Sequence, residues 1–415
     1  PGISVDGGGH INMKGKNGVQ ILLDGRLQTL SSQQITSVLK GLDASIIKTI
    51  EIIANPSAKY DASGNAGIIN ILFKKSNSNG TNGSVSAGYQ QMEHYRQNGA
   101  FNINNKSNKF NAFANGNYAK SLQFTKVNSE RLLIDKSFIQ SGIERQGFEN
   151  PGIRSGFDYT INNRHKIGAV FNYNNLWDDF PSDASTVVLN NIKNDLIKTA
   201  TIANLTENKF SANLNHQFSD TIGRSLSFDL DWLNYNSDLN NSVVNLLVNS
   251  NSKNSFSNKT STGINLFAFK TDGSLKIKET IDLEAGLKFS ASKTANLLNS
   301  VQTEGGQNPI IQFNDFNYDE RIYAAYGNFN SKWNKKWNFQ FGLRTELTKM
   351  KRLSVDQNRN QIAPPDTSYL NLFPTIYLRY QANDKHGFGI SYNRRVDRPS
   401  FQDQNPYIYR VDYYV

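Results

Sequence analysis

The sequence predicts a β protein, a transmembrane antiparallel β-barrel preceded by a small α/β unit. Three observations lead to this fold class. From about residue 105 onward, pairs of long alternating strands recur at a fixed spacing. Each pair is joined by a very short polar turn, and longer polar segments separate the pairs. The first 80 residues follow a different rhythm, with short apolar runs and one candidate helix.

The short turns set the repeat of the barrel. They fall at residues 105–107, 162–164, 220–223, 276–278, 334–336 and 383–385, and their midpoints lie 57, 58, 56, 58 and 49 residues apart. Short turns at one end and long loops at the other are typical of an outer-membrane barrel. The sequence therefore predicts long polar loops opposite the short turns, and we count about 13 strands between Val85 and Arg395.

Alternation along the strands predicts two unlike faces. It is clearest in residues 210–218, 226–232, 281–289 and 339–347. Apolar side chains such as Leu230 and Leu287 alternate there with polar ones such as Asp229 and Lys288, and successive side chains point to opposite faces. We expect one face to contact lipid and the other a wet lumen, with Trp333, Trp337, Trp177 and Tyr235 near the interfaces.

Composition narrows the functional classes. The net charge is +10, but Lys and Arg are scattered rather than gathered in one stripe, so we expect no nucleic-acid partner. There is no cysteine, and the five histidines lie far apart without metal-ligand spacing. No nucleophile, phosphate-binding or zinc motif occurs. The sequence predicts no catalytic residue, no metal site and no cofactor, and therefore no enzyme.

The two ends of the chain suggest a fragment. The sequence starts at Pro1 without an initiator Met or an export signal. About 13 strands is an odd number, whereas a closed single-chain bacterial barrel has an even one. We therefore expect a plug region truncated at its N-terminus and a barrel truncated at its C-terminus.

The first 80 residues predict a separate α/β domain, with the barrel at 81–415. Strands are expected at 19–23, 46–53 and 68–73, with a turn at Asp24-Gly25. Ser31 or Ser32 would cap a helix whose buried stripe is Ile35, Val38, Leu39 and Leu42. A turn-rich connection spans 55–67, and a polar linker at 76–84 leads into the barrel.

Ordered motifs in this domain resemble a known family. The apolar run ending in Asp24-Gly25, the strand around Glu51, the segment from Pro56 to Tyr60 and the closing strand follow one another in sequence. Together they resemble the plug domain of TonB-dependent outer-membrane receptors. The motif residues are Asp24, Gly25, Glu51, Pro56, Tyr60, Gly64, Gly67 and Asn70. The chain departs from the usual pattern at Asn55, Asp61 and Ala66.

A second motif lies near the C-terminus. Residues 392–399 and 404–406 resemble the barrel of one branch of that family, whose members carry a carboxypeptidase-regulatory-like domain before the plug and an outer membrane β-barrel family domain. The residues that carry this resemblance are Arg394, Arg395, Arg398, Pro399, Asn405 and Pro406. The resemblance covers essentially the whole chain.

The resemblance implies an active transporter in the outer membrane of a Gram-negative bacterium. Its implied partners are outer-membrane lipid, the inner-membrane TonB complex, whose contact region would lie upstream of Pro1, and an extracellular ligand. The ligand class stays open among siderophores, haem, glycans and peptides, and the substrate-binding residues are unknown. Two alternatives also stay open, namely a passive porin or adhesin-type barrel and a soluble β-rich glycan-binding protein.

Overall fold

A computed structural model describes residues 2–6, 11–13, 15–16, 18–27, 39, 44, 47–64, 66–74, 79–190, 194–334 and 336–405. The described N-terminal unit contains a two-stranded and a four-stranded sheet. Its strands are β1 (Ile3–Val5), β2 (Ile11–Met13), β3 (Val19–Leu23), β4 (Arg26–Leu27), β5 (Ile47–Ile53) and β6 (Gly67–Phe73). The larger sheet has the order β4-β3-β6-β5, with β3 and β6 parallel. The three predicted strands are therefore confirmed.

The core of this unit lies on one face of the four-stranded sheet. Met13, Ile21, Ile69, Ile71 and Phe73 are all buried there. Alternate apolar residues of β6 meet alternate residues of β3, because both strands expose the same face to the core. The predicted helix over 31–42 lies outside the described residues, except that Leu39 packs against this cluster.

The tight turn between β3 and β4 supports the Asp-Gly prediction. Asp24 and Gly25 have φ angles of 51° and 79°, and Leu23 pairs with Arg26 across them. A two-residue hairpin with positive φ at both turn positions favours Asp followed by Gly. The turn therefore places the Asp24 side chain at one end of the sheet.

The rest of the chain forms one antiparallel sheet, the barrel wall. Its strands are β7 (Gly80–Gln91), β8 (Tyr95–Lys106), β9 (Phe110–Leu132), β10 (Lys136–Asn162), β11 (His165–Asp179), β12 (Ser182–Asn190), β13 (Asp195–Ser219), β14 (Arg224–Leu247), β15 (Ser252–Lys278), β16 (Ile281–Glu304), β17 (Ile310–Trp333), β18 (Trp337–Asp356), β19 (Gln361–Ile362), β20 (Thr367–Gln381) and β21 (Gly387–Asn393). A short helix, α1 (Phe401–Gln404), follows. Among the described residues, no helix is long and apolar enough to cross a bilayer.

Strand order in the wall follows the chain. The main path runs β21-β20-β18-β17-β16-β15-β14-β13-β11-β10-β9-β8-β7, which is 13 strands and confirms the count. The short strands β12 and β19 pair beside it. Because β7 begins at Gly80, the second half of the polar segment expected as a linker is already strand.

The expectation of long loops opposite the short turns is wrong. β10 and β15 each contain 27 residues, whereas a membrane needs only about 9–11. β14 and β15 are joined by residues 248–251 alone. The polar segments continue as paired strands because their side chains bond across the ladder, as Asn296 does to Thr262 at 2.8 Å and Asn314 to Ser354 at 2.6 Å.

The two faces of the wall are as predicted. Leu230, Leu287 and Phe341 are 37%, 57% and 52% exposed on the outer face. On the other face, Arg344 and Glu346 are each 1% exposed. A water-soluble sandwich buries its apolar face, whereas this wall exposes it and buries charge, as a barrel in lipid does.

One predicted interfacial residue lies elsewhere. Tyr235 is buried, and its hydroxyl donates to Glu207 at 2.7 Å. Tyr235 occupies an odd position of β14, whereas the exposed apolar residues of that strand occupy even ones, so its ring faces inward. The expectation that Tyr235 marks an interface is wrong.

Candidate site between the N-terminal unit and the barrel wall

The 55–67 connection of the N-terminal unit lies against the inner face of the wall. Its Asp61 carboxylate pairs with Lys288 of β16 and accepts a hydrogen bond from Arg344 Nη2 of β18 at 2.8 Å. All three side chains are largely buried. Charges removed from water in this way persist only when they are paired and hydrogen-bonded. Asp61 therefore anchors the N-terminal unit to two wall strands.

Glu346 extends this network toward the C-terminal segment. Its Oε1 accepts from Arg344 Nε at 2.5 Å, and its Oε2 pairs with Arg398. The Ala62 backbone N–H also donates to Glu346 Oε1 at 3.3 Å. Arg344 and Glu346 are two residues apart on one strand, so both point into the lumen. Successive ion pairs therefore link Asp61, through Arg344 and Glu346, to Arg398.

The Arg395 side chain binds the 55–67 connection at that connection's backbone carbonyls. Its two terminal nitrogens donate to the Asp61 carbonyl at 2.9 Å and the Pro56 carbonyl at 3.2 Å. The Val396 N–H donates to the Ala62 carbonyl at 3.0 Å, and Val396 forms a parallel bridge with Ser63. Two motifs recognised separately in the sequence thus meet in space.

Other members of the C-terminal motif do not join this contact. Arg394 is exposed and donates to the Leu372 carbonyl at 2.9 Å. Pro399 is exposed, and Asn405 follows α1 and donates to Asn314 at 3.0 Å. Pro406 lies outside the described residues. The adjacent arginines Arg394 and Arg395 therefore serve opposite sides of the segment.

The Asp-Gly turn makes a second contact with the wall. Asp24 pairs with Arg154 of β10, and Asp24 Oδ1 accepts from the Phe73 N–H at 3.0 Å. The Arg154 guanidinium lies 4.4 Å from the centre of the Phe73 ring. A cation over an aromatic face is favourable, more so where water is excluded. Arg154 therefore binds the end of the sheet through both charge and ring.

Asn70 and Glu51 organise this end of the sheet from within. Asn70 Oδ1 accepts from the Gly25 N–H at 2.8 Å, and its amide donates to Glu51 Oε2 at 2.8 Å. Glu51 therefore has a partner in its own unit rather than on the wall. Four motif residues, Asp24, Gly25, Glu51 and Asn70, hold the turn that presents Asp24 to Arg154.

The remaining plug-motif residues shape the 55–67 connection. Pro56 is fully buried, and Tyr60 closes a turn with its N–H on the Ser57 carbonyl at 3.2 Å. Gly64 has a φ of 83°, and a Cβ there would lie 2.6 Å from Gln20 Cγ. Only glycine fits such a backbone without strain. Gly67 begins β6 opposite Val19.

Electrostatics set the charge states of the connection. Burial alone would raise the pKa of the Asp61 carboxyl, but Lys288 and Arg344 outweigh it and hold that pKa well below its usual range. Burial lowers the pKa of Arg395 to about 10, so it stays cationic near neutral pH. Burial also raises the pKa of the Tyr60 hydroxyl. At neutral pH the contact joins a carboxylate to cations.

A cavity of about 430 Å³ lies between the N-terminal unit and the wall. It is lined on one side by Asp24, Lys59 and Tyr60 and on the other by residues of β9 to β11 and β13 to β16. The charged wall residues of this cavity are Arg154, Lys209, Asp229, Asp231, Lys270, Asp272 and Lys288. Within the described residues, no group of three His, Cys, Asp or Glu is placed to hold a metal ion. Its lining combines charged side chains of both signs with apolar surface.

The sequence did not predict several residues of this contact. Arg154, Lys288, Arg344 and Glu346 are recognisable as polar-face residues of long strands, and Asp61 as a departure from the family pattern. No local signal pairs Asp61 with Arg344, because the pairing depends on how a separate unit sits against the wall.

The comparisons with known proteins bear on the barrel. The model of the outer membrane protein beta-barrel family matches residues 216–415. This match covers just under half of the chain. The protein is an outer-membrane protein of a Gram-negative bacterium, and the predicted localisation is confirmed. No curated protein matches the chain.

The comparison with solved structures finds matches at low similarity. A mutant of the ferric enterobactin receptor PfeA from Pseudomonas aeruginosa has 10% identity and a TM-score of 0.37, with 95% of this chain and 89% of that chain covered. The ferric-catecholate import receptor Fiu of E. coli K12 has 11% identity and a TM-score of 0.42, with 92% of this chain and 79% of that chain covered. The alcaligin receptor FauA of Bordetella pertussis has 12% identity and a TM-score of 0.38, with 95% of this chain and 83% of that chain covered. At these scores the likeness carries no conclusion about ligand or transport.

Proposed function

We propose that this outer-membrane protein is a TonB-dependent receptor that actively imports a scarce extracellular ligand, with residues 1–80 as the plug and 81–415 as the barrel. The observation that carries the proposal is the charged contact of Asp61 with Lys288 and Arg344 on the inner wall. It holds a folded unit in the lumen through a few polar contacts that can be broken and remade. A transporter needs such a unit, because a wide barrel without one would leak.

Buried charge favours this function over a passive pore. Two apolar surfaces would hold a permanent plug at least as firmly as an ion network, because desolvation offsets much of the gain from a buried ion pair. Charged groups can instead be rehydrated when the unit moves. A porin or adhesin has no use for this arrangement. The exposed apolar face of the wall opposes the soluble glycan-binding alternative.

The proposal includes three partners. The inner-membrane TonB complex would pull on the plug through a segment upstream of Pro1. The ligand would be a siderophore, haem, glycan or peptide, bound from outside the cell. Outer-membrane lipid would surround the barrel. In this role the protein is a transporter rather than an enzyme.

A disulfide that locks the plug tests the proposal. Ser63 and Val396 are bridge partners, a spacing compatible with a disulfide, and the chain has no other cysteine. In the full-length protein, Ser63→Cys with Val396→Cys should abolish uptake when oxidised and restore it on reduction. Uptake is read as growth of a deletion strain on single ferric siderophores, haem, oligosaccharides or peptides. Each single-cysteine variant is the control, and full growth of the oxidised double variant would contradict the proposal.

A further inference from the structure

The end of the barrel that carries the short turns has a basic rim. Among the described residues there, the basic ones are Lys106, Lys109, Arg164, Lys166, Arg224, Lys276, Lys278, Lys332, Lys336 and Lys385, and the acidic ones are Asp220, Glu279, Asp282 and Asp384. Asp220 already pairs with Arg224 at 2.6 Å. The described connections at the opposite end carry Glu93, Asp135, Asp366 and Arg359. Basic residues outnumber acidic ones at the short-turn end, whereas acidic residues outnumber basic ones in the far-end connections, so net positive charge is concentrated at the short-turn end.

Aromatic rings form a belt beside this rim. Phe110 stacks on Phe157 at 5.9 Å, and Trp337 packs on Tyr380 at 4.5 Å. Phe228 lies between His216 and Phe269, with ring centres 6.1 and 6.4 Å away. The belt therefore spans strands from β9 to β20, just inside the turns.

Charge and ring are neighbours in the sequence. Lys109 precedes Phe110, and Lys332 precedes Trp333, whose side chain is 60% exposed. Lys336 likewise precedes Trp337. Aromatic rings on the outer face of a barrel sit at the depth of lipid headgroups. The long stem of lysine lets its ammonium reach beyond the ring. The rim charges therefore lie where phosphate groups of the surrounding leaflet would be.

We propose that this basic rim binds the phosphate groups of anionic phospholipids in the leaflet at the short-turn end. Its distribution favours lipid over a protein partner, because the charges recur at successive turns around the wall. A protein would cover one sector, whereas a leaflet contacts the whole circumference. The inference holds whether or not the barrel transports a ligand.

The native tryptophans allow a direct test. The chain has four, Trp177, Trp232, Trp333 and Trp337. Trp333 and Trp337 flank a short turn, whereas Trp177 lies near the far end of β11. A variant with Trp177→Phe and Trp232→Phe reports on the rim, and one with Trp232→Phe, Trp333→Phe and Trp337→Phe reports on the opposite end. Each is reconstituted in vesicles mixing brominated phosphatidylglycerol or brominated phosphatidylcholine with unbrominated lipid, and quenching gives relative binding constants.

For the rim reporter, the relative binding constant of phosphatidylglycerol should be about fivefold higher than that of phosphatidylcholine. This is the preference expected for one basic side chain near an anionic surface. The Trp177 reporter should show nearly equal quenching by the two lipids. Lys109→Gln, Lys278→Gln and Lys336→Gln together should remove most of the rim preference. The matched triple at the far end, Arg131→Gln, Lys136→Gln and Lys253→Gln, should leave it unchanged.

Two results would overturn the proposal. Equal quenching of the rim reporter by both lipids would mean that the rim does not select anionic lipid and would favour an acidic protein partner. A preference that survives the rim triple would place its cause elsewhere. Both outcomes are read on folded, inserted protein, which is checked by the heat-modifiable electrophoretic mobility of a barrel.

Discussion

Arg344 Nη2 donates to Asp61 Oδ1 at 2.8 Å, although 283 positions separate the two residues in the sequence. One belongs to a wall strand and the other to the connection between two strands of the N-terminal unit. Arg344 is also bound by Glu346 of its own strand. A single guanidinium therefore joins the wall's own polar ladder to the unit in the lumen, and the strength of that joint can be tested.

Asp61→Asn should loosen the N-terminal unit. It leaves Lys288 and Arg344 buried with less negative charge, and removing one partner of a buried pair typically costs about 3–5 kcal/mol. Lys59 lies two residues away, so trypsin cleavage after Lys59, followed by mass spectrometry on detergent-solubilised protein, reports the loosening. Cleavage should become at least about tenfold faster.

The matched control is Asp183→Asn. Asp183 pairs with Arg145 in an exposed pair, 72% exposed at the carboxylate, and such pairs contribute about 0–1 kcal/mol. Cleavage after Lys59 should not change in this variant. Equal rates for Asp61→Asn and the wild type would mean that Asp61 does not hold the connection in place.

Arg395→Lys should weaken the same contact by another route. Arginine reaches the Pro56 and Asp61 carbonyls with two nitrogens at once, and a lysine ammonium cannot reproduce that fork. Cleavage after Lys59 should accelerate severalfold. Arg394→Lys, one residue away and directed to Leu372, should have no effect. If both variants behaved alike, the assignment of Arg395 to this contact would be wrong.

The docking of the 55–67 connection on the wall should weaken only at acidic pH. Because the docked state lowers the pKa of Asp61, its carboxylate stabilises docking at pH values above the ordinary Asp pKa of about 3.9, and this contribution is lost as the pH falls toward the lowered value. A spin label on Ser57→Cys should stay immobile from pH 8 to about pH 4 and become mobile below it. In Asp61→Asn this acid transition should be absent. A transition centred near pH 6 would point to a different group.

A charged substitution should destabilise the barrel on the outer face but not on the inner face. Leu230→Arg places a cation in lipid and should cost about 2–4 kcal/mol near the bilayer midplane. Asp229→Arg, on the neighbouring position, faces the cavity and should change folding little. Urea titration of the barrel folded into vesicles measures both. Equal losses would contradict the lipid exposure of Leu230.

Period-two alternation was enough to predict the wall and its faces, because Leu230 and Arg344 each follow the pattern of their own strand. The Asp24-Gly25 turn was also readable, since its backbone demands those residue types. The length of the strands could not be predicted from the sequence. Polar stretches such as 252–262 resemble loops in sequence, yet they pair because neighbouring strands supply hydrogen-bond partners.

The contact between unit and wall could be predicted only in part. The motifs containing Pro56 and Arg395 could be recognised, but their meeting depends on the placement of a whole domain. Asp61 looked only like a departure from a family pattern. Its partners Lys288 and Arg344 come from strands that are distant in sequence, and no local rule links such positions.

Conductance tests the central claim, that the N-terminal unit fills the lumen, most directly. The full-length protein and a variant of it lacking residues 1–79 of this chain are inserted into planar bilayers, with the barrel fold checked for both. A wall of this size encloses a channel unless something fills it, so deletion should convert a nearly closed protein into one with large, steady conductance. Asp61→Asn should give brief openings between these limits. Unchanged conductance after deletion would contradict the claim and the proposed transport with it.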